Sequence, residues 1–133
     1  MSALSDYLEN KLADHILGGS DYTRPATVYL ALYTAGPTDA GGGTEVSGNG
    51  YARASVTNNN TNFPGASAGL KANGAAITFS AATGAWGSIT HFAIFDSSSG
   101  GNMLIHGALT TSKVVETGDV PSFPIGSISL QFN

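Results

Sequence analysis

Two runs of the chain, Val28-Tyr29-Leu30-Ala31-Leu32-Tyr33 and His91-Phe92-Ala93-Ile94-Phe95, are apolar without alternation. Successive side chains of an extended chain point to opposite faces, so as strands these runs place apolar groups on both sides of a sheet. Each side then needs cover from an N-terminal helix, a loop or another chain. Ile128-Ser129-Leu130-Gln131-Phe132 alternates instead, as a strand with one buried and one wet face does.

The rest of the chain has the same character. Short apolar segments near 26–34, 51–57, 75–80, 87–96, 102–110, 113–116 and 126–132 are separated by Gly, Ser and Asn clusters, the punctuation of a sandwich or barrel. One helix is expected over residues 3–17, where Leu4, Leu8, Leu12 and Ile16 recur every fourth residue, Tyr7 and Leu17 widen the stripe and Gly18-Gly19 stops it. Ser2 or Ser5 can cap its start. About fifteen residues is marginal for an isolated helix, so the stripe must dock on something. The segments 35–50 and 58–73 are long for connections in a compact domain and are expected to make contacts. The predicted fold is mainly β, an antiparallel, jelly-roll-like β-sandwich over residues 25–133 with an N-terminal docking helix over residues 1–19, and residues 1–133 form a single domain. Neither a tandem repeat nor a sustained heptad is present.

Composition excludes several functions. The chain has 133 residues, 18 of them Gly, and only 11% are charged against 41% apolar, so its exterior is polar chiefly through neutral groups. Its five cations, Lys11, Arg24, Arg53, Lys71 and Lys113, are scattered under a net charge of -4 and form no stripe for phosphates, which argues against nucleic-acid binding. Without cysteine there is neither a disulfide nor a thiolate metal site. The start of the sequence has no basic segment followed by an apolar core, and no segment reaches the roughly 20 apolar residues of a membrane span, so a protein soluble where it is made is expected.

Motifs with catalytic potential each have a plainer reading. Gly65-Ala66-Ser67-Ala68-Gly69 has the letters of a nucleophile elbow, but its flanks do not supply the required strand before Ser67 and helix after it. His15, His91 and His106 show no metal-ligand spacing and read as core or interface histidines. The nine acids are dispersed, and Asp96 and Asp119 sit beside turn residues. Gly41-Gly42-Gly43-Thr44 lacks the lysine of a phosphate loop, and Asp96–Asn102 lacks the alternating acids of a calcium loop. No catalytic, metal or cofactor site is assigned, and an enzyme is not expected.

Several stretches in one order carry a resemblance. They are Tyr7–Leu12, then Pro25–Ala35, then Gly41–Arg53, followed by Asn73, Ala76–Phe79, Gly84-Ala85-Trp86-Gly87, Thr90–Asp96 and Gly100–Leu104. Together they make the chain resemble the small tail-fibre-type structural proteins of tailed bacteriophages. The resemblance implies a β-sandwich module built into a virion assembled in the host cytoplasm, with other virion proteins as partners. A homo-oligomer, a trimer by preference, is expected. Proteins of this look serve as tail, fibre or head-surface components; a tail- or fibre-associated role is expected first, with a head decoration (cement) role on the capsid surface as the alternative.

The residues expected to face a partner are the helical stripe Leu4, Leu8, Leu12 and Ile16, the strand residues Tyr29, Tyr33 and Phe92, and Tyr51, Arg53 and Trp86. Arg53 is one of few charges near strands, with Glu45 or Asp96 as its expected partner. A rival reading makes the chain a carbohydrate-binding module for host-surface glycans, with loops 35–50 and 58–73 and Tyr51 or Trp86 as stacking platforms.

Overall fold

A computed structural model describes residues 2–132. In chain order its elements are β1 (Ser2–Leu4), α1 (Asp6–Ile16), β2 (Thr27–Ala35), β3 (Thr44–Glu45), β4 (Ala54–Thr57), β5 (Leu70–Ala72), β6 (Ile77–Thr78), β7 (Gly87–Phe95), β8 (Met103–Val115), β9 (Ser122–Phe123) and β10 (Ser129–Gln131). The protein is mainly β, antiparallel and sandwich-like, with one N-terminal helix, as the sequence predicts.

The two unalternating runs become β2 and β7, adjacent central strands of a six-stranded sheet ordered β1-β8-β7-β2-β3, with β4 sharing the β3 side of β2. Leu30 lies opposite Ile94 and Leu32 opposite Phe92, so one face of the pair is a continuous aliphatic and aromatic surface. Two ribbons, β5–β10 and β6–β9, supply a second layer. Ile77, Phe79, Trp86 and Ile128 join Leu30, Leu32, Phe92 and Ile94 in one buried core between the layers.

The other face, carrying Ala31, Tyr33, Ala93, Phe95 and Met103, is also buried, at 0–8% exposure. The chain covers it with its own segments. Asp39–Gly42 and the start of α1 line a cleft over Tyr33, Phe95 and Met103, and Gly36 lies so close to the His91 ring that a Cβ there would come within 2.6 Å of it. Tyr33, expected from the sequence to face a partner, is instead buried within the chain, where a Gly-rich loop lies over this face because glycine lets backbone approach where a side chain would clash.

The helix begins later than the periodicity predicts. Ser5 is its N-cap, accepting from the Leu8 amide at 3.2 Å, and is itself 2% exposed because its hydroxyl donates to the Met103 carbonyl. Residues before the cap extend and pair with the edge of β8, Leu4 opposite Ile105, so Leu4 belongs to the sheet. The expected strands 102–110 and 113–116 are one strand, β8, whose pairing with β7 jumps from His91↔Ala108 to Ile89↔Lys113. Leu109–Ser112 thus bulge opposite Thr90, which gives the sequence its look of an interruption. The short strands β3, β5 and β9 lie in segments read as loops, and their two or three residues carry too little pattern to be seen without their partners.

Candidate functional site

The densest polar arrangement is built by Glu45, Tyr51 and Arg53. β3 carries Glu45 along the edge of β2, and the Tyr51-Ala52-Arg53 approach to β4 brings the other two beside it. Arg53 donates to both carboxylate oxygens of Glu45, Nε to Oε2 at 2.9 Å and Nη2 to Oε1 at 2.9 Å. Its Nη1 donates to the carbonyls of Ser97 at 2.8 Å and Gly100 at 2.9 Å, in the turn between β7 and β8. The guanidinium lies 3.7 Å from the centroid of the Phe95 ring, and only 7% of its side chain is exposed. Tyr51 completes the cluster, its hydroxyl donating to Glu45 Oε2 at 2.7 Å and accepting from the Leu32 amide at 3.0 Å.

Electrostatics follow from this geometry. Burial pushes the Glu45 carboxyl up, but the hydrogen bonds from Arg53 and Tyr51 and the Arg53 charge outweigh it, so the group titrates below its ordinary value of 4.5. Burial and the bond to Glu45 push the Tyr51 phenol far above its usual range. The bond to Glu45 raises Arg53 further, so its charge is permanent. Every polar side-chain atom of the three residues has a partner within the chain, which makes the cluster a clamp fastening β3, β4 and the β7–β8 turn together. Of the two partners expected for Arg53, Glu45 is the one chosen. Asp96 instead accepts from the backbone and side-chain amides of Asn102 at 2.7 and 2.9 Å and closes the turn.

A pH prediction arises from the depressed Glu45 group. A carboxyl that titrates lower when folded adds stability above its unfolded value, and that stability is lost as pH falls through the folded one. Urea unfolding followed from pH 7 to pH 3 should therefore show the gap between the protein and Glu45→Gln shrinking below about pH 4.5. A gap that stays constant with pH would mean that Glu45 is not stabilised as the anion.

The remaining candidates fall where turns and packing need them. His15, on α1, accepts from the Tyr22 amide at 3.1 Å, His91 Nδ1 is 2.8 Å from Thr90 Oγ1, and His106 Nε2 is 2.7 Å from Asp39 Oδ1. Among the described residues no three potential metal ligands gather. Ser67 exchanges backbone bonds with Leu70 in a tight turn and leads into strand β5, not into the helix of a nucleophile elbow. Asp119 accepts from the Glu116 amide at 2.9 Å, again closing a turn.

The ten expected partner-facing residues separate by depth. Leu8, Tyr33, Trp86 and Phe92 are 4–8% exposed and belong to the chain's own cores. Trp86 meets Tyr51 edge-on at 5.3 Å and donates to the Asn49 carbonyl at 2.9 Å, so both proposed sugar platforms face inward. Leu4, Leu12, Tyr29, Tyr51 and Arg53 are half-buried. Ile16 is 73% exposed, and its neighbour Leu17 78%. The apolar stripe of α1 thus docks at its first turns and hangs free at its last.

Two residues that the sequence marked only as parts of the resembling stretches are structural hubs. Asn49 holds a left-handed backbone, φ 51°, while its side chain bonds the Ala85 carbonyl at 2.9 Å. Asn73, 2% exposed, donates to the Ala75 and Pro124 carbonyls and accepts from the Ile128 amide, tying the end of the chain to β5. Asn beside Gly, as in Asn49-Gly50 and Asn73-Gly74, is the signal that marks such positions.

A family model described as Podophage GP4 fiber I protein gp80 matches residues 3–131. Comparison with curated proteins found no match.

Proposed function

The chain belongs to the podophage GP4 fiber I protein gp80 family and is thus a tail-fibre-type structural protein of the phage virion, and on that premise we propose that it is a non-catalytic, fibre-associated subunit that assembles with copies of itself. In this reading residues 1–133 act as one module, with the N-terminal segment 1–19 as the attachment element. A trimer is the favoured form. The observation that carries the proposal is the half-docked helix, with Leu8 at 8% exposure and Ile16 and Leu17 at 73% and 78%. Two adjacent large aliphatic side chains held in solvent, one on the last turn of the helix and one at its C-cap, are what a subunit contact removes from water.

The contact is expected to be strong enough to measure. Burying an exposed Leu or Ile stabilises by roughly 1.5–3 kcal/mol each, so replacing both with Asp should weaken self-association by about a hundredfold or more. Ile16→Asp/Leu17→Asp is expected to shift the light-scattering mass from oligomer to monomer while leaving the circular dichroism of the fold unchanged. A wild-type protein that stays monomeric at high micromolar concentration would overturn the self-assembly reading. Head decoration is the alternative within the virion. Quantitative mass spectrometry of intact particles separates them, since a fibre component is present in few copies and a decoration protein in hundreds.

A further inference from the structure

The exposed helix end has a counterpart elsewhere on the molecule. Between the bulged half of β8 and the segment Asp119–Pro124 lies an open groove of about 710 Å³. Ile89 and Phe92 reach it from the central sheet, Leu109 and Phe123 line its sides, and Val120, 53% exposed, stands at its lip. None of the residues that line it comes from the chain's own helix, which packs on the opposite half of β8, around β1. The groove's occupant must come from another molecule if it is to be apolar and helical.

Resting on the self-assembly reading above, we propose that Ile16 and Leu17 of one copy seat in this groove of a second copy. Charge favours the pairing. Lys113 lines the groove and enters no ion pair among the described residues. Asp14 and Asp21 stand on either side of the apolar pair in sequence, Asp21 with its carboxylate 3.8 Å from the His15 ring, and the carboxyl end of the helix adds its partial negative charge. Asp119, the other charge lining the groove, is turned to its own loop by the Glu116 amide. Donor and acceptor surfaces are different parts of the chain, so the contact is head-to-tail, and such contacts generate closed rings when the rotation permits. A three-fold ring is the form that agrees with a trimer.

A head-to-tail contact has a signature that a two-fold contact lacks. The knob variant Ile16→Asp/Leu17→Asp keeps its groove, and the groove variant Val120→Arg keeps its knob. All the substituted side chains are more than half exposed, so both proteins should fold. Each alone is expected to associate at least about tenfold more weakly than wild type. Mixed in equal amounts they should form a one-to-one dimer through the single intact junction, detectable by native mass spectrometry. Lys113→Glu should weaken the oligomer, and Asp14→Lys/Asp21→Lys mixed with it should recover association.

Failure separates the two claims. If the knob variant is monomeric while Val120→Arg assembles as wild type does, the helix end seats elsewhere, which overturns this inference and leaves self-assembly standing. If both variants dissociate but their mixture stays monomeric, the contact is not head-to-tail and the inference falls. A wild-type monomer overturns both. Binding of the knob only to a different virion protein would likewise overturn the second copy as its occupant.

Discussion

Arg53→Ala is expected to lower the unfolding free energy by about 3 kcal/mol, near the bottom of the roughly 3–5 kcal/mol lost when one member of a buried ion pair is removed. The lower end applies because the Glu45 side chain is 25% exposed and retains some solvent. The substitution deletes the two bonds to Glu45, the bonds to the Ser97 and Gly100 carbonyls and the guanidinium that covers Phe95. For a domain of this size the melting temperature should fall by roughly 10 °C. Arg53→Lys keeps the charge but has no planar fork, so it should recover only part of the loss. Much of the penalty is the stranded carboxylate, so Arg53→Met/Glu45→Leu should be more stable than Arg53→Ala. Urea unfolding of the three variants checks the series. A loss below about 1 kcal/mol for Arg53→Ala would mean that the cluster does not clamp the sheet.

Trp86→Ala should be at least as damaging, roughly 3–5 kcal/mol for deletion of a buried large aromatic. Trp86 is 5% exposed, meets Tyr51 at 5.3 Å and Phe79 at 6.4 Å edge-on, and its indole N–H holds the Asn49 carbonyl. These contacts join the Gly-rich segment before β4 to the second layer, so the cavity would open where sheet and ribbons meet. Trp86→Phe keeps an aromatic in place but loses the hydrogen bond and part of the volume that the indole fills. The Asn49 carbonyl still accepts from the Thr83 amide, so about 1 kcal/mol or somewhat more is expected. Because the substitution removes the chain's one tryptophan, unfolding is followed by circular dichroism. Equal stability of Trp86→Ala and wild type would contradict the burial of this ring and reopen a surface role for it.

Both substitutions bear on assembly indirectly. Arg53 fastens the turn at the start of β8, and Trp86 precedes β7, so each steadies the sheet whose β8 edge carries the helix and, further along, the groove. If the chain self-assembles as proposed, loss of either should reduce oligomer through loss of folded protein, not through the proposed contact. Ile16 and Leu17 should behave in the opposite way, changing association while leaving stability alone.

The family resemblance in the sequence and the family model agree, and the residues explain why. Asn49-Gly50, Arg53, Asn73, Trp86 and the β2 and β7 runs lie in the stretches that carry the resemblance, and each holds two parts of the fold together. They are structural signatures. The clamp itself was half legible: Arg53 stands out in a chain with few charges, and Glu45 was one of two partners in view. Its choice over Asp96 depends on β3 bringing Glu45 alongside β2, and a two-residue strand leaves no periodic trace.

What the sequence determined by itself is what short-range physics controls. Short unbroken apolar runs and a period-four stripe act within a few residues, so β2, β7 and the helix are legible from Val28–Tyr33, His91–Phe95 and the Leu8–Ile16 stripe. The mainly-β class follows from them. The tertiary structure decided how the two apolar faces are closed. The same apolar run is satisfied equally by a loop, a helix or another chain, and the choice rests on contacts between residues far apart in sequence. Gly36 can lie against His91, Trp86 can turn inward to Tyr51, and the last helical turn can overhang the sheet only once those distant segments have met. Both faces of the central strands are closed within the chain, while Ile16 and Leu17 at the end of α1 are among the large apolar side chains left exposed.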